Sequence, residues 1–484
     1  MITFHSGSTV ILRSVTLSQL SRMLLKGRIS PVELIGKTIA QIEALNPKIN
    51  AFICTFTERA NEQAREAENR IRRGEARPLE GLPITIKDSL DIAGVPTYCG
   101  SLLNRESRPA HDSTSVRLLA DAGAIVIGKT SCPEFLMNYE TDNGIIGRTN
   151  NPWDVTKTPG GSSGGEAAAI AALCSVGGMG SDGGGSVRFP AHCCGIAGLK
   201  PTPGRVSAAG HVPPIAHPGG LLGVVGPMAR TAEDVRSLFE VLAQYDPADP
   251  FSTPMPLRQP DLASFRQKEL KVGYMSGWLD VPVEQAMAEV THAAAKKLDE
   301  LGFAVEEFQP CGVDRSSEVW WFFFGQSHSR LTHARLAGKE NQLHWTGTEL
   351  LDLAMRQPEP TVESMFENLS LRDRMRTALL RQMETFRVLL LPASGVAAFP
   401  HRTRRWQTPK GEIGLLEAMA PLTPFNLFGM PGMVIPFGFN EQGMPCGVQL
   451  VGRPYDEELL LEIAVQLEEA RGAFPVPPGV PELL

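Results

Sequence analysis

Long hydrophobic runs are missing from this chain. The longest stretch of small apolar residues, AAAIAALCSV (Ala167 to Val176), falls far short of the ~20 residues a membrane-spanning helix needs. The first twenty residues, MITFHSGSTVILRSVTLSQL, carry no apolar run behind a basic start, so no signal peptide is expected. No basic stripe stands out and the formal net charge is −7, which gives nucleic-acid binding no electrostatic support. The eight cysteines are scattered, with no C-x-x-C pair and no histidine spacing for zinc, so free thiols and a reducing cytoplasm are expected. Repeats, low-complexity tracts and an S-x-x-K motif are absent too, and the last excludes a penicillin-binding type of Ser–Lys site.

What is present is globular composition: 484 residues, 42% hydrophobic and 20% charged, enough for a large core. TLSQ (Thr16 to Gln19) and SPVE (Ser30 to Glu33) read as capping boxes, the second with Pro31 in the first helical position. LPITIKD reads as a strand leaving at Lys87, and GAIVIGKT as a helix exit at Gly123 followed by a buried strand. SSGGEAAAIAALCSV reads as a helix. KVGYM and FAVEEF bracket a helix over about 283–301. VLLLP, GMVIPFGF and CGVQLVG are strand-like, and DEELLLEIAVQLEEA is a closing amphipathic helix. The alternation predicts an α/β fold, a sheet with helices on its faces. Thr202 to Gly223 reads as an irregular Pro/Gly-rich loop, either a lid or a connection, and about 247–268 as a surface excursion.

Two motifs mislead. GAIVIGKT fits the phosphate-loop pattern G-x-x-x-x-G-K-[ST] from Gly123 to Thr130. Its variable positions, Ala124 to Ile127, are largely β-branched and suit a buried strand, not a loop of bare N–H groups. GGSSG (Gly160 to Gly164) fits the α/β-hydrolase nucleophile elbow, but loop-forming NNPWDVTKTP stands where that elbow needs a strand. An α/β-hydrolase-type esterase therefore stays as an alternative only.

Three residues remain with chemistry to do: Lys87 at a strand end, Ser162 in a glycine loop that opens a helix, and Ser186 after three glycines in SDGGGSVRFP. A serine hydroxyl attacks a carbonyl only when a base takes its proton. No histidine sits in a recognisable setting, and lysine is the next choice. That lysine must be uncharged, so its pKa of about 10.4 has to fall by roughly three units through burial. The apolar run Leu82 to Ile86 suits a buried lysine. Read alone, Lys87 would instead pair with Asp88 in water.

GLPITIKD, TPGGSSGGEAAAIAA and GSDGGGSVRFPAHCCGIAGLKPTPGRVS, in this order and spacing, resemble the amidase signature family. The resemblance extends to LNPKINAF, TDNGIIGRTNNPWD, NLFGMPGMVIPFGF and GMPCGVQLVGRPYDEELLLEIA, and is weak over about 247–392. It implies a central twisted mixed sheet covered by helices on both faces, in one domain over 1–484. Within it lie N-terminal helices (about 16–75), a signature core (76–245), a variable substrate-side region (246–392) and a return to the sheet (393–484). It implies a Ser–cisSer–Lys triad: Ser186 as nucleophile, Ser162 as relay after a cis peptide that Gly161 makes possible, and Lys87 as base. The N–H groups of Gly183, Gly184, Gly185 and Ser186 would hold the oxyanion. Gly183 departs from the bulky aliphatic residue many members carry, and the expected consequence is either a floppier oxyanion hole or a roomier pocket.

Ser163, Asp182 and Arg188 are expected to support the nucleophile turn, with a plain structural Asp182–Arg188 ion pair as the other reading. Met137 and Gly161 are expected to contact substrate, and Asn138 and Tyr139 either to do so as pocket wall or to pack in the core. Aromatics such as those of VWWFFFG (Val319 to Gly325) are more often core than pocket, but five in a row cannot all turn inward on one helix face, and some of them are expected to line an apolar entrance. The family implies no metal or cofactor. The expected reaction is hydrolysis of a C–N acyl bond in a hydrophobic or aromatic amide, aryl acylamide or carbamate (urethane). The chain is expected to be a monomer or homodimer, without nucleic-acid or membrane partner. The family also supplies the glutaminase (A) subunit of a tRNA-dependent amidotransferase, which stands as an alternative.

Overall fold

The computed structural model describes residues 16–217, 219–267 and 270–481. The segment read for a signal peptide, residues 1–15, lies outside them, as does Lys268. Thirteen strands are described: β1 (Phe52–Thr55), β2 (Pro83–Lys87), β3 (Ile125–Thr130), β4 (Gly177–Asp182), β5 (Ala197–Lys200), β6 (Val224–Ala229), β7 (Lys271–Tyr274), β8 (Ala304–Glu307), β9 (Val388–Pro392), β10 (Arg405–Thr408), β11 (Gly411–Gly414), β12 (Gly432–Phe439) and β13 (Pro445–Val451). Eleven form one sheet in the order β1-β3-β2-β4-β6-β5-β12-β13-β9-β7-β8, and β10 and β11 pair as a separate hairpin. β2 runs parallel to both β3 and β4, while β12 and β13 are antiparallel. The sheet is therefore mixed.

Strands in the middle of such a sheet are covered on both faces, so they read as unbroken apolar runs rather than as alternations. In β3, Val126 joins one apolar cluster, whereas Ile125 and Ile127 join another on the opposite face. The first cluster is closed by helices Ala232–Leu242 and Glu457–Arg471, through Val235, Leu238, Leu460 and Leu467. On the other face, helix Gly164–Ala171 is wholly buried; its Ala168 and Ala169 pack on Ile125 and Ile127. The architecture is α/β, with a central mixed sheet flanked by helices, as the resemblance implies.

Thr16 forms its capping box with Gln19. Ser30 caps its helix through the Glu33 N–H, with Pro31 in the first turn, but the box is not reciprocal, because the Glu33 carboxylate pairs with Lys37 at 3.2 Å. The stretch read as a surface excursion is partly anchored. Asp246 accepts from Thr114 and Ser207 at 2.6 Å each, and Leu262 and Phe265 are buried in the main apolar cluster.

Candidate active site

Three consecutive pieces of sheet edge and loop meet at Lys87. β2 delivers the lysine at its C-terminal end, wholly buried. Its amine lies 2.7 Å from Ser162 Oγ, 2.9 Å from Ser163 Oγ and 3.0 Å from Ser181 Oγ, with the Ser181 carbonyl at 3.4 Å. Every partner is neutral. Asp88, the neighbour that would have tied Lys87 to a surface ion pair, is buried and turned to Lys129 instead, at 2.8 Å. Burial consequently pushes the Lys87 amine down from 10.5 to about 8, because desolvation disfavours the charged form.

The loop before helix Gly164–Ala171 places Ser162. The Gly161–Ser162 peptide is cis. A Cβ at Gly161 would stand 2.8 Å from the Asn138 carbonyl oxygen and from the Tyr139 carbonyl carbon, so only glycine fits this approach. Among the described residues no strand leads directly into the loop, which removes the nucleophile elbow and with it the esterase alternative.

Ser186 follows β4 through the triple-glycine turn. Asp182 organises that turn: its carboxylate accepts from the N–H groups of Gly185 (2.6 Å) and Val187 (3.1 Å). Arg188 grips the same carboxylate at 3.0 and 3.1 Å, and is itself held by Gln449 Oε1 (2.6 Å), Asn426 Oδ1 (2.5 Å) and the Leu422 carbonyl (3.0 Å). Burial alone would raise the Asp182 carboxyl; the Arg188 guanidinium overrides it and holds the group well below the usual carboxylate range. Gly185 is thereby corrected as an oxyanion donor, since its N–H is committed to Asp182. Among the described residues the N–H groups of Gly183, Gly184 and Ser186 donate to nothing within the chain. The carbonyls of Gly183 and Gly184 are turned away, onto Trp320 Nε1 and the Tyr139 hydroxyl, at 2.9 Å each. Fixing the carbonyls this way orients the peptide planes of the turn.

A cavity opens over Ser162, Ser181, Asp182, Gly183 and Ser186. It holds about 670 Å³ of empty space, open solvent at its mouth included. Three walls are mostly apolar: Phe135, Leu136 and Met137; Pro213, Pro214, Ile215 and Leu222; and Phe323 and Phe324 with His328. The Thr202 to Gly223 loop is thus a cavity wall. The aromatic run does double service: Trp320 stacks on Phe324 at 4.8 Å, and a π-helical turn over Phe322–His328 brings Phe324 and His328 to the same side. A Cβ at Gly183 would meet the Phe324 ring at 3.5 Å, so the space vacated by the missing aliphatic side chain is filled from across the cavity.

Of the substrate contacts expected from sequence, Met137 lines the cavity. Asn138, Tyr139 and Gly161 do not. Asn138 is buried and donates to Glu349 at 2.8 Å, and Tyr139 packs edge-on to Phe189 behind the glycine turn. Ser181, Asn426 and Gln449 were not singled out by sequence reasoning. Ser181 stands in the quoted GSDGGG; Asn426 and Gln449 lie in stretches whose only local signal is the resemblance. Ser186 Oγ forms no hydrogen bond within the chain among the described residues. Ser162 and Ser186 share the cavity without bonding each other.

Residues 33–461 match the family described as Amidase. The chain belongs to the amidase family. It is 32% identical, over 94% of its length and 97% of the relative's, to the A subunit of the glutamyl-tRNA(Gln) amidotransferase of Microcystis aeruginosa. Among solved structures it resembles a chain of a vestigial protein complex described as revealing the evolutionary origins of an s-triazine catabolic enzyme, at TM-score 0.86 and 29% identity, covering 96% of this chain and 100% of the other. It also resembles a bacterial aryl acylamidase of the amidase signature enzymes, at TM-score 0.82 and 26% identity, covering 94% and 96%.

These relatives correct the expectation of a monomer or homodimer without nucleic-acid partner. The Microcystis relative is named as one subunit of an enzyme for a glutamyl-tRNA. Among the described residues no helix is long and apolar enough to cross a membrane.

Proposed function

We propose that the chain hydrolyses the C–N acyl bond of an uncharged, apolar amide through an acyl-enzyme on Ser186. The observation that carries this is the Lys87 amine, buried among three hydroxyls with Ser162 at 2.7 Å and opening through Ser162 onto the cavity that Ser186 shares. An uncharged amine has one lone pair. It accepts the Ser162 proton while Ser162 takes that of Ser186, and its own two N–H groups suit Ser163 and Ser181. Ser186 Oγ attacks the carbonyl carbon, and the oxyanion forms against the free N–H groups of Gly183, Gly184 and Ser186. The proton returns from Lys87 through Ser162 to the leaving nitrogen, the C–N bond breaks, and amine departs. Water then gives its proton to the same relay and attacks the ester. Carboxylic acid leaves, and Ser186 regains its hydrogen. Losing one oxyanion donor in sites of this kind typically costs about 10² to 10³ in rate.

A second reading rests on the relatives' name: a glutaminase subunit of a tRNA-dependent amidotransferase. The relatives support it better than they support hydrolysis of an apolar amide, aryl acylamide or carbamate. The cavity supports the apolar amide better, since among its described lining residues none is lysine or arginine to meet a glutamine carboxylate. Turnover by the purified chain separates the two, using the p-nitroanilide and phenyl carbamate of apolar groups beside L-glutamine. Hydrolysis of the anilide with glutamine untouched is expected. Turnover of glutamine alone would establish the second reading, and release from the carbamate only would move the substrate class to urethanes.

A further inference from the structure

Four peptide units connect Asp182 to Ser186, and each is held by a different group. The Asp182 carbonyl accepts from Asn426 Nδ2 at 3.1 Å, and the Gly183 carbonyl from Trp320 Nε1 at 2.9 Å. The third unit is held at both ends, its Gly184 carbonyl by the Tyr139 hydroxyl and its Gly185 N–H by Asp182. The Gly185 carbonyl accepts from the Phe189 N–H at 2.6 Å. All four units are trans. A trans peptide points its carbonyl and its N–H in opposite directions, so holding the carbonyl also aims the N–H of the same unit.

The unit between Gly183 and Gly184 has the most freedom. Neither flanking residue carries a side chain to restrict it, and the Gly184 N–H, unlike that of Gly185, has no partner within the chain among the described residues. Reversal of this unit would exchange an N–H for a carbonyl, and a carbonyl oxygen repels an oxyanion. The indole opposes that reversal. Its N–H can only donate, and its ring lies directly on the turn: a Cβ at Gly184 would stand 2.4 Å from Trp320 Cζ2. The ring is held in turn by its stack on Phe324, 4.8 Å away and tilted by 14°, and Phe324 lines the cavity beside Gly183.

We infer that Trp320 is a positioning residue for the reaction, whose indole N–H holds the Gly183 carbonyl away from the reacting oxygen and so keeps the Gly184 N–H available to the oxyanion. This rests on the proposed hydrolysis at Ser186. Asn426 holds the preceding unit, but it also binds the Asp182 carboxylate and Arg188, so replacing it would disturb the whole turn. The Trp320 bond touches none of that network. The freedom that Gly183 adds to the turn is thereby taken up by an aromatic side chain 137 residues further along the chain.

The experiment compares the wild-type chain with Trp320→Phe and with a chain carrying benzothienylalanine in place of Trp320, which exchanges the N–H for sulfur and keeps the ring shape. For the p-nitroanilide of an apolar acid, or L-glutamine if that alone is turned over, both changes are expected to lower kcat about 10²-fold and to leave KM within about threefold. A trifluoromethyl ketone of the same acyl group, to whose carbonyl carbon Ser186 Oγ adds to leave an oxyanion, should lose affinity by a similar factor. A merely structural role would not single out the ketone. A kcat within about threefold of wild type for the benzothienylalanine chain, or a raised KM with kcat unchanged, would overturn the inference. A crystal structure of the benzothienylalanine chain keeps the two readings apart. A reversed or doubly oriented Gly183 carbonyl supports Trp320 as the group that sets the turn even if wild type hydrolyses neither substrate. A carbonyl left in place overturns the inference even if wild type is an active amidase.

Discussion

Lys87 and Lys129 stand on adjacent parallel strands, one residue out of register, and neither is exposed at all. Their hydrogen-bonding surroundings differ in charge: one holds a carboxylate, the other only neutral groups. Lys129 has the Asp88 carboxylate at 2.8 Å, with Thr97 Oγ1 and the Pro96 carbonyl at 3.0 Å. Lys87 has three hydroxyls and a carbonyl. A buried ammonium is tolerated where a buried carboxylate answers it; without one, the amine gives up its proton instead. The same residue type on the same sheet is thus a structural cation in one place and a candidate base in the other. The sequence neighbour of Lys87 is the ion partner of Lys129, and that exchange frees Lys87.

The comparison can be broken by substitution, and the largest effects belong to the Lys87 side. Ser186→Ala is expected to lower kcat by about 10⁵-fold or more, with unchanged melting temperature, read by turnover and thermal scans. Lys87→Met is expected to lose about 10⁴-fold or more, again with the fold retained, because methionine replaces a buried neutral amine by a chain of similar length. Lys129→Met should act on stability. It leaves Asp88 buried and unpaired, at a cost of about 3–5 kcal/mol, and the double variant Lys129→Met/Asp88→Asn should recover much of the loss in denaturant titrations. If Lys129→Met instead left stability alone and removed turnover, the division of labour between the lysines would be wrong.

Protonation sharpens the contrast further. The active form of Lys87 is the uncharged one, and burial sets its midpoint at about 8. Activity must therefore rise with pH, about tenfold per unit well below 8, and level off above it. Measuring kcat/KM from pH 6 to 10 checks this, and a flat profile across pH 6–8 would contradict it. The smallest expected effect lies at the entrance: Phe324→Ala, which opens space beside Gly183, should raise KM for a bulky apolar anilide about fivefold and leave kcat nearly unchanged.

Sequence carried the fold well where one rule decides. The buried runs PITIK and IVIGKT became neighbouring strands because continuous apolar stretches need cover on both faces, and the misleading phosphate-loop match failed on its β-branched residues. The glycine at 161 was legible from the cis peptide that the resemblance implied. Longer-range partners were not. Nothing local in NLFGMPG or CGVQLVG says that Asn426 and Gln449 converge on Arg188 from the far end of the chain. The use of the Gly185 N–H by Asp182 depends on the path of a turn that glycines leave open. Asn138 and Tyr139 fell behind the site because a polar residue near a motif can brace it as readily as face substrate.

The ionisation of Lys87 can be followed directly by NMR of lysine side chains in the intact chain, with Lys87→Met supplying the assignment. A titration midpoint near 8 that coincides with the rising limb of kcat/KM is the expected result. A midpoint above about 10, the ordinary lysine range, with full activity already present at neutral pH, would contradict the account.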